Sequence, residues 1–150
     1  MMIRKAELSD IDKLVQIENT VFPDDPWKES NFSYELESNP FAEIYLYEDE
    51  DSAAGFIDLW ITFEQAQIAN IGVLPEKRRK HIGSDLLAFA IKKAISENCE
   101  TISLEVRVSN SSAVALYEKF GFTRAGTRRH YYEDGEDAWL MVRPIGGINV

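Results

Sequence analysis

Residues 70–87 read NIGVLPEKRRKHIGSDLL, and the change of character along this stretch decides the fold. It opens as the end of an apolar run that Pro75 terminates, because proline has no N–H for a strand ladder. A basic loop follows. From Ile82 to Asn98 the apolar residues Leu86, Leu87, Ala90, Ile91, Ala94 and Ile95 then recur at helical spacing, the strongest periodic signal in the chain. The start of a helix exposes unpaired backbone N–H groups and about half a positive charge, so a pyrophosphate fits there, with Arg78, Arg79 and Lys80 adding cations. Taken alone, a basic loop before a helix is more often a solvated turn. It is not a Walker loop, since no GKS or GKT follows, and it lacks the GxGxxG of a dinucleotide fold.

Working outward, ETISLEVRVS (100–109) alternates strictly. Ile102, Leu104, Val106 and Val108 face one way; Ser103, Glu105 and Arg107 face the other. Asn110 and Ser111 cap a helix running through Phe120, and Gly121 is placed to stop it. FTRAGTRRHYY and DAWLMVRP bracket the turn EDGE (133–136) as a hairpin. On the N-terminal side, FAEIYLYED and AAGFIDLWITF read as an antiparallel pair, and QAQIANIGVLP as a third strand. SDIDKLVQIENTVF offers Ser9 as N-cap and Ile11, Leu14, Val15 and Ile17 as an apolar face, while Asp25 and Pro26 open a second short helix. The order is strand, two helices, three strands, helix, strand, helix, two strands. That is a mixed α/β sheet, not an all-antiparallel sandwich.

The chain has 150 residues, the usual size of one domain, and no repeat or linker divides it, so a single domain over 1–150 is expected. Its formal charge of −10 opposes a nucleic-acid partner, which demands a dense basic face. Acids gather in DDPWKE, YEDEDS and YEDGED and bases in EKRRK and TRR, either as solvated loops or as an electrostatic guide for a basic partner. One cysteine, Cys99, excludes an internal disulfide, and His81 and His130 form no metal-ligand spacing. With no signal segment and no run of about 20 apolar residues, the expectation is a cytoplasmic protein without a metal or a membrane span.

A second constellation lies in SLEVRVSNSSAVALYEKFGF. Glu105 sits on the polar face of an apolar strand, and Tyr117 lies about two turns into the next helix. A carboxylate and a phenol at one cleft can serve as base and acid. Against this, an outward Glu on a half-exposed strand usually meets only water, and a helical Tyr usually packs.

Both constellations, in this order, resemble the GNAT superfamily of N-acetyltransferases, whose acetyl-CoA signature is Q/R-x-x-G-x-G/A. Residues 78–83, RRKHIG, supply the leading Arg78 and the last Gly83, but His81 replaces the first glycine. That glycine usually permits a positive φ or a close approach to the pyrophosphate, and His tolerates such a backbone better than most residues. Within the superfamily, NIGVLPEKRRKHIG, LEVRVSNSSAVALYEKFGF and RRHYYEDGEDAWLM are similar to the RimI type, the ribosomal-protein alanine N-acetyltransferases.

The resemblance implies a GNAT fold, a central, mostly antiparallel sheet splayed at the cofactor site and flanked by helices. It implies that Ile71, Gly72 and Val73 offer backbone groups to the acetyl carbonyl and pantetheine, and that Arg78, Arg79, Lys80, His81, Ile82, Gly83 and Ser84 cradle the pyrophosphate. Asn110 matches a cofactor-contacting Asn, though helix capping explains it equally well. Glu105 matches the general base and Tyr117 the acid that protonates the departing thiolate, with Tyr117 also beside the cofactor. Tyr131 and Tyr132 stand at the peptide-facing end, against a competing reading as core. The implied co-substrate is acetyl-CoA and the implied acceptor a basic protein N-terminus, that of a ribosomal protein. An α-amine has a pKa of roughly 7.7–8.0 against roughly 10.4 for lysine, so freeing lysine at neutral pH costs about 3.5 kcal/mol more, and a carboxylate base suits the α-amine. A polyamine or aminoglycoside-like acceptor, other protein N-termini, or a non-catalytic acyl-CoA-binding module are the alternatives.

Overall fold

The computed structural model describes residues 2–50 and 52–146; the side chains of Arg79 and Lys80 lie outside that description. Its elements are β1 (Met2–Lys5), α1 (Ile11–Val21), α2 (Glu29–Glu37), β2 (Ala42–Glu48), β3 (Ala53–Thr62), β4 (Gln65–Val73), α3 (Ile82–Ser96), β5 (Thr101–Arg107), α4 (Ser111–Lys119), β6 (Thr123–Arg128) and β7 (Ala138–Pro144). Short 3₁₀ turns, Leu8–Asp10 and Pro75–Lys80, lead into α1 and α3. This is the order read from the sequence.

Hydrogen bonding orders the strands β1-β2-β3-β4-β5-β7-β6. β1–β2, β2–β3, β5–β7 and β6–β7 pair antiparallel, whereas β4–β5 is parallel. The fold is therefore the expected mixed α/β sheet, mostly antiparallel. The parallel register runs from Gln65↔Thr101 to Ile68↔Leu104, after which β5 goes on to Arg107 along β7.

Contacts group the chain into two compact units, Met1–Trp60 with Asn70–Ala90 and Ile61–Ala69 with Ile91–Val150. In unit 1 the core gathers Ala6, Leu14, Ile17, Phe32, Ile44, Leu46 and Phe56, with Trp27 and Leu74 packed against it. The apolar positions of α1 fall on one face, as their spacing demanded. Two helix starts differ from expectation. Ser9 does not cap α1; the Leu8–Asp10 turn precedes it, and the Asp10 carboxylate accepts the Glu7 N–H at 2.8 Å while two Arg4 nitrogens bind it at 2.8 and 2.9 Å. Nor do Asp25 and Pro26 open α2. Lys28 is its N-cap, with the Lys28 N–H donated to the Asn31 side chain at 2.8 Å, because the preceding Trp27 N–H is captured by Glu18.

In unit 2, Ile102, Leu104 and Val106 are buried on one face of β5. Val108 leaves that face: it lies past the strand end, its N–H on the Asp137 carbonyl, and is partly exposed. Gly121, at φ +90°, ends α4 as expected. The Gly121 N–H reaches the Glu118 carbonyl and the Phe122 N–H the Tyr117 carbonyl, each at 3.0 Å, the Schellman arrangement of a helix end.

Candidate active site

In unit 1, the basic run expected as a loop winds into the Pro75–Lys80 turn and ends on His81, whose φ of 62° and ψ of 19° are left-handed. The backbone thus takes at His81 the conformation that a glycine would make easy. The His81 carbonyl accepts the Asp85 N–H at 2.9 Å, the first i→i−4 rung of α3. The N–H groups of Ile82, Gly83 and Ser84 come before that rung, have no partner within the helix, and carry the positive end of its dipole. Around them the cations are unequally committed. Lys77 pairs with Asp49, which raises the lysine's pKa, while the exposed Arg78 turns its Nε onto the Val73 carbonyl at 3.1 Å. The Arg79 and Lys80 side chains assigned to the pyrophosphate lie outside the described residues.

Upstream, β4 carries Ile71, Gly72 and Val73. A Cβ on Gly55 of β3 would stand 2.9 Å from the Gly72 carbonyl oxygen, and a Cβ on Gly72 would stand 3.1 Å from a Phe56 ring carbon. Backbone meets backbone there, leaving no room for a side chain. Gly55 went unrecognised in the sequence, although an isolated glycine within a strand is itself a sign of close approach.

Unit 2 holds the acid–base candidates. Glu105 projects from β5 with its side chain only 9% exposed, and both its oxygens are engaged. Oε1 accepts Gln67 Nε2 at 3.2 Å, and Oε2 accepts Arg128 Nε at 2.7 Å. Neither partner was singled out from sequence; Arg128 is 23 residues away, and no local pattern marks the pairing. Tyr117 is buried on α4, its ring set edge-on to Phe122 with centroids 6.1 Å apart. These two residues are the apolar contact of the Schellman end, so the stop signal at Gly121 also fixes the phenol. Burial pushes the Tyr117 pKa well above the usual phenol range, and the hydroxyl keeps its proton at neutral pH.

Asn110 caps α4, its side-chain oxygen accepting the Ala113 N–H at 3.3 Å, so the capping reading holds whatever else the residue does. Tyr131 and Tyr132 follow β6 and meet edge-on at 5.0 Å. The competing core reading does not hold for Tyr131, which is 49% exposed. Tyr132 lies under the Arg107 guanidinium, 4.0 Å from its ring centroid, and burial first, then Tyr131, pushes its phenol up to about 12. Arg107 also binds Asp134 at 2.8 Å and Glu136 at 2.9 Å, so the acidic turn is pinned by a cation. Cys99 is buried with its sulfur 3.7 Å from the Phe63 carbonyl, and burial raises its thiol pKa, which makes it an unreactive packing residue.

Within unit 1 a left-handed turn at His81 leads into the start of α3, and within unit 2 Glu105 is held by two donors while Tyr117 keeps its proton. The chain belongs to the acetyltransferase (GNAT) family, whose pattern matches residues 11–122. Across 140 residues, 93% of this chain and 92% of the other, it is 40% identical to a putative [ribosomal protein bS18]-alanine N-acetyltransferase of Bacillus subtilis (strain 168). It is 36% identical over 158 aligned positions, 95% of this chain and 92% of the other, to an N-alpha-acetyltransferase of Sulfurisphaera tokodaii. The crystal structure of the ribosomal-protein-S18-alanine N-acetyltransferase from Escherichia coli superposes with a TM-score of 0.88 at 32% identity, covering 99% of this chain and 97% of that one. The chain is thus a GNAT N-acetyltransferase. No described helix is long and apolar enough to cross a membrane.

Proposed function

We propose that this protein transfers the acetyl group of acetyl-CoA to the N-terminal α-amine of a ribosomal protein, acting in the cytoplasm with residues 1–150 as one acetyltransferase domain. The observation that carries this reading is the chain-long likeness to the alanine N-acetyltransferases. The local chemistry supports it. The first-turn N–H groups of α3, which have no acceptor within the helix, suit a pyrophosphate, and the left-handed His81 directs the chain into that start. In this reading Arg78, Arg79 and Lys80 add charge, and the backbone of Ile71, Gly72 and Val73 receives the pantetheine and the thioester carbonyl.

Transfer is direct. Glu105, through a water, takes one proton of the α-ammonium; the freed amine attacks the thioester carbon, backbone N–H groups oppose charge on its oxygen, and as the carbon–sulfur bond breaks the nitrogen releases its second proton to water, from which the Tyr117 phenol is restored after it has protonated the thiolate. Tyr117 gives its proton to the departing thiolate. Asn110 contributes to the cofactor side while it caps α4. Tyr131 and Tyr132, on the turn that Arg107 braces, take the acceptor's first residues, and the acidic surface draws in a basic tail.

A thiol-release assay with acetyl-CoA tests the reading. Turnover is expected with a peptide beginning as ribosomal protein bS18 does, and none with spermidine or with the same peptide blocked at its N-terminus. Comparable turnover on the blocked, lysine-containing peptide would overturn the α-amine assignment. Mass spectrometry of ribosomal proteins from cells with and without the chain identifies the acceptor.

A further inference from the structure

We propose that Glu18 is a positioning residue for acetyl transfer, its buried carboxylate fastening the part of β4 that leads into Ile71, Gly72 and Val73. The inference rests on the functional reading above, which assigns those backbone groups to the thioester. Glu18 lies near the end of α1 and is 2% exposed. Its oxygens divide between two partners: Oε1 accepts Asn70 Nδ2 and Oε2 accepts the Trp27 N–H, each at 2.8 Å. A carboxylate taken from water is costly unless its bonds are well made, and an apolar residue would pack here without that cost. What the carboxylate adds is direction.

The two partners are the points that need fixing. Asn70 is the residue before the proposed thioester contacts, and Trp27 is the residue whose amide is held out of α2. Beside Glu18, Ile17 reaches the same strand, with a methyl 3.6 Å from where a Gly72 Cβ would be. Trp27 in turn lies on Phe32 (5.3 Å between centroids) and Phe32 on Phe56 (5.6 Å), the ring that faces Gly72. Adjacent residues of α1 therefore grip β4 at positions 70 and 72, one by hydrogen bond and one by packing. A backbone donor aimed at a reacting carbonyl loses its effect with small displacements, so a side chain remote from the reacting atoms can govern rate through the strand it holds.

The test compares Glu18→Ala, Asn70→Asp and the double variant Glu18→Gln with Asn70→Asp in the full-length protein. Glu18→Ala is expected to lower kcat at least about 10-fold while the acetyl-CoA dissociation constant stays within about threefold, because the grip of residues 78–84 is untouched. Amide exchange at Trp27 should quicken in the same variant. Asn70→Asp opposes two carboxylates and should lose turnover similarly; the double variant restores a donor facing an acceptor and should recover most of the lost kcat. Wild-type kcat in Glu18→Ala, or a double variant no better than Asn70→Asp, overturns the inference, and the second comparison stands even if Glu18→Ala fails to fold. A wild-type protein that acetylates no peptide would instead overturn the functional reading, and this inference with it.

Discussion

Each of the two units holds its own candidate groups, and the two hold them by different means. Unit 1 uses backbone: a glycine approach between β3 and β4, a left-handed residue, and the first-turn N–H groups of α3. Unit 2 uses side-chain charge, Glu105 on Arg128 and Gln67, Arg107 on Asp134, Glu136 and the face of Tyr132. Backbone groups do not titrate near neutral pH, and they are intolerant of an added Cβ. A site made of paired charges tolerates volume changes and depends on every partner.

The contrast is drawn most sharply by removing a charge from unit 2. Glu105→Gln keeps shape and volume but cannot take a proton, and kcat/KM is expected to fall by roughly 10²–10⁴-fold, the usual contribution of a general base. Acetyl-CoA binding, assigned mainly to unit 1, should change little. Titration calorimetry beside the thiol-release assay separates the two effects, and a large loss of cofactor affinity would show that the charge network also shapes the cofactor's seat.

Adding volume to unit 1 is the reciprocal change. A Cβ on Gly55 lands 2.9 Å from the Gly72 carbonyl oxygen, a backbone atom that cannot rotate away, so Gly55→Val should cost about 2–3 kcal/mol of stability. It should also weaken acetyl-CoA binding, because the displaced segment is 71–73. Urea denaturation and a binding isotherm measure both. A variant with wild-type values would mean that β3 and β4 slide freely.

This division also explains what the sequence made legible. The backbone-built half left local marks: Pro75 at a strand end, a basic stretch, apolar periodicity from Ile82, a glycine-like position at His81. Element order, the α4 cap at Asn110 and the stop at Gly121 came from the same short-range rules. In the charge-built half Glu105, Asn110, Tyr117, Tyr131 and Tyr132 were singled out but their charge partners were not, because Arg128 and Gln67 meet Glu105 through strand register across 23 and 38 residues. The two misplaced helix starts have that cause as well. Asp10 is claimed by Arg4 and the Trp27 amide by Glu18, and a tertiary acceptor overrides a local cap.

Unit 1 does contain buried acids, and Asp58 shows what happens when no cation attends one. It is 0% exposed on β3, with Glu35 and Trp60 as its polar neighbours and no cation paired with it among the described residues. Burial first, then the neighbouring Glu35, pushes its carboxyl up to about 9. The folded chain therefore holds a proton that the unfolded chain, with an aspartate pKa of about 3.9, gives up. Between about pH 4 and pH 9 the unfolded state binds fewer protons, so this group's contribution to stability falls as pH rises and is spent above the folded value. Asp58→Asn should flatten that slope, leaving the variant more stable than wild type at pH 8 and little changed near pH 4. Parallel urea midpoints for variant and wild type across that range would show that Asp58 is not the group responsible.

The smallest effect is expected at His81, where the backbone-built half carries a side chain in place of glycine. A left-handed non-glycine residue costs roughly 1–2 kcal/mol, and His sits at the tolerant end. Glycine relieves that strain but frees the unfolded chain, which returns about 0.4–1 kcal/mol. His81→Gly should therefore raise stability by no more than about 1 kcal/mol, whereas His81→Val, β-branched in the same backbone, should lower it by about 1–2 kcal/mol. The functional readout decides what the imidazole itself does. If backbone alone forms this part of the seat, His81→Gly and wild type will bind acetyl-CoA with dissociation constants that run together from about pH 6 to pH 8. Wild-type affinity that tightens toward the acid end while that of His81→Gly does not would place a charge beside the pyrophosphate, and unit 1 would then share the device that unit 2 uses throughout.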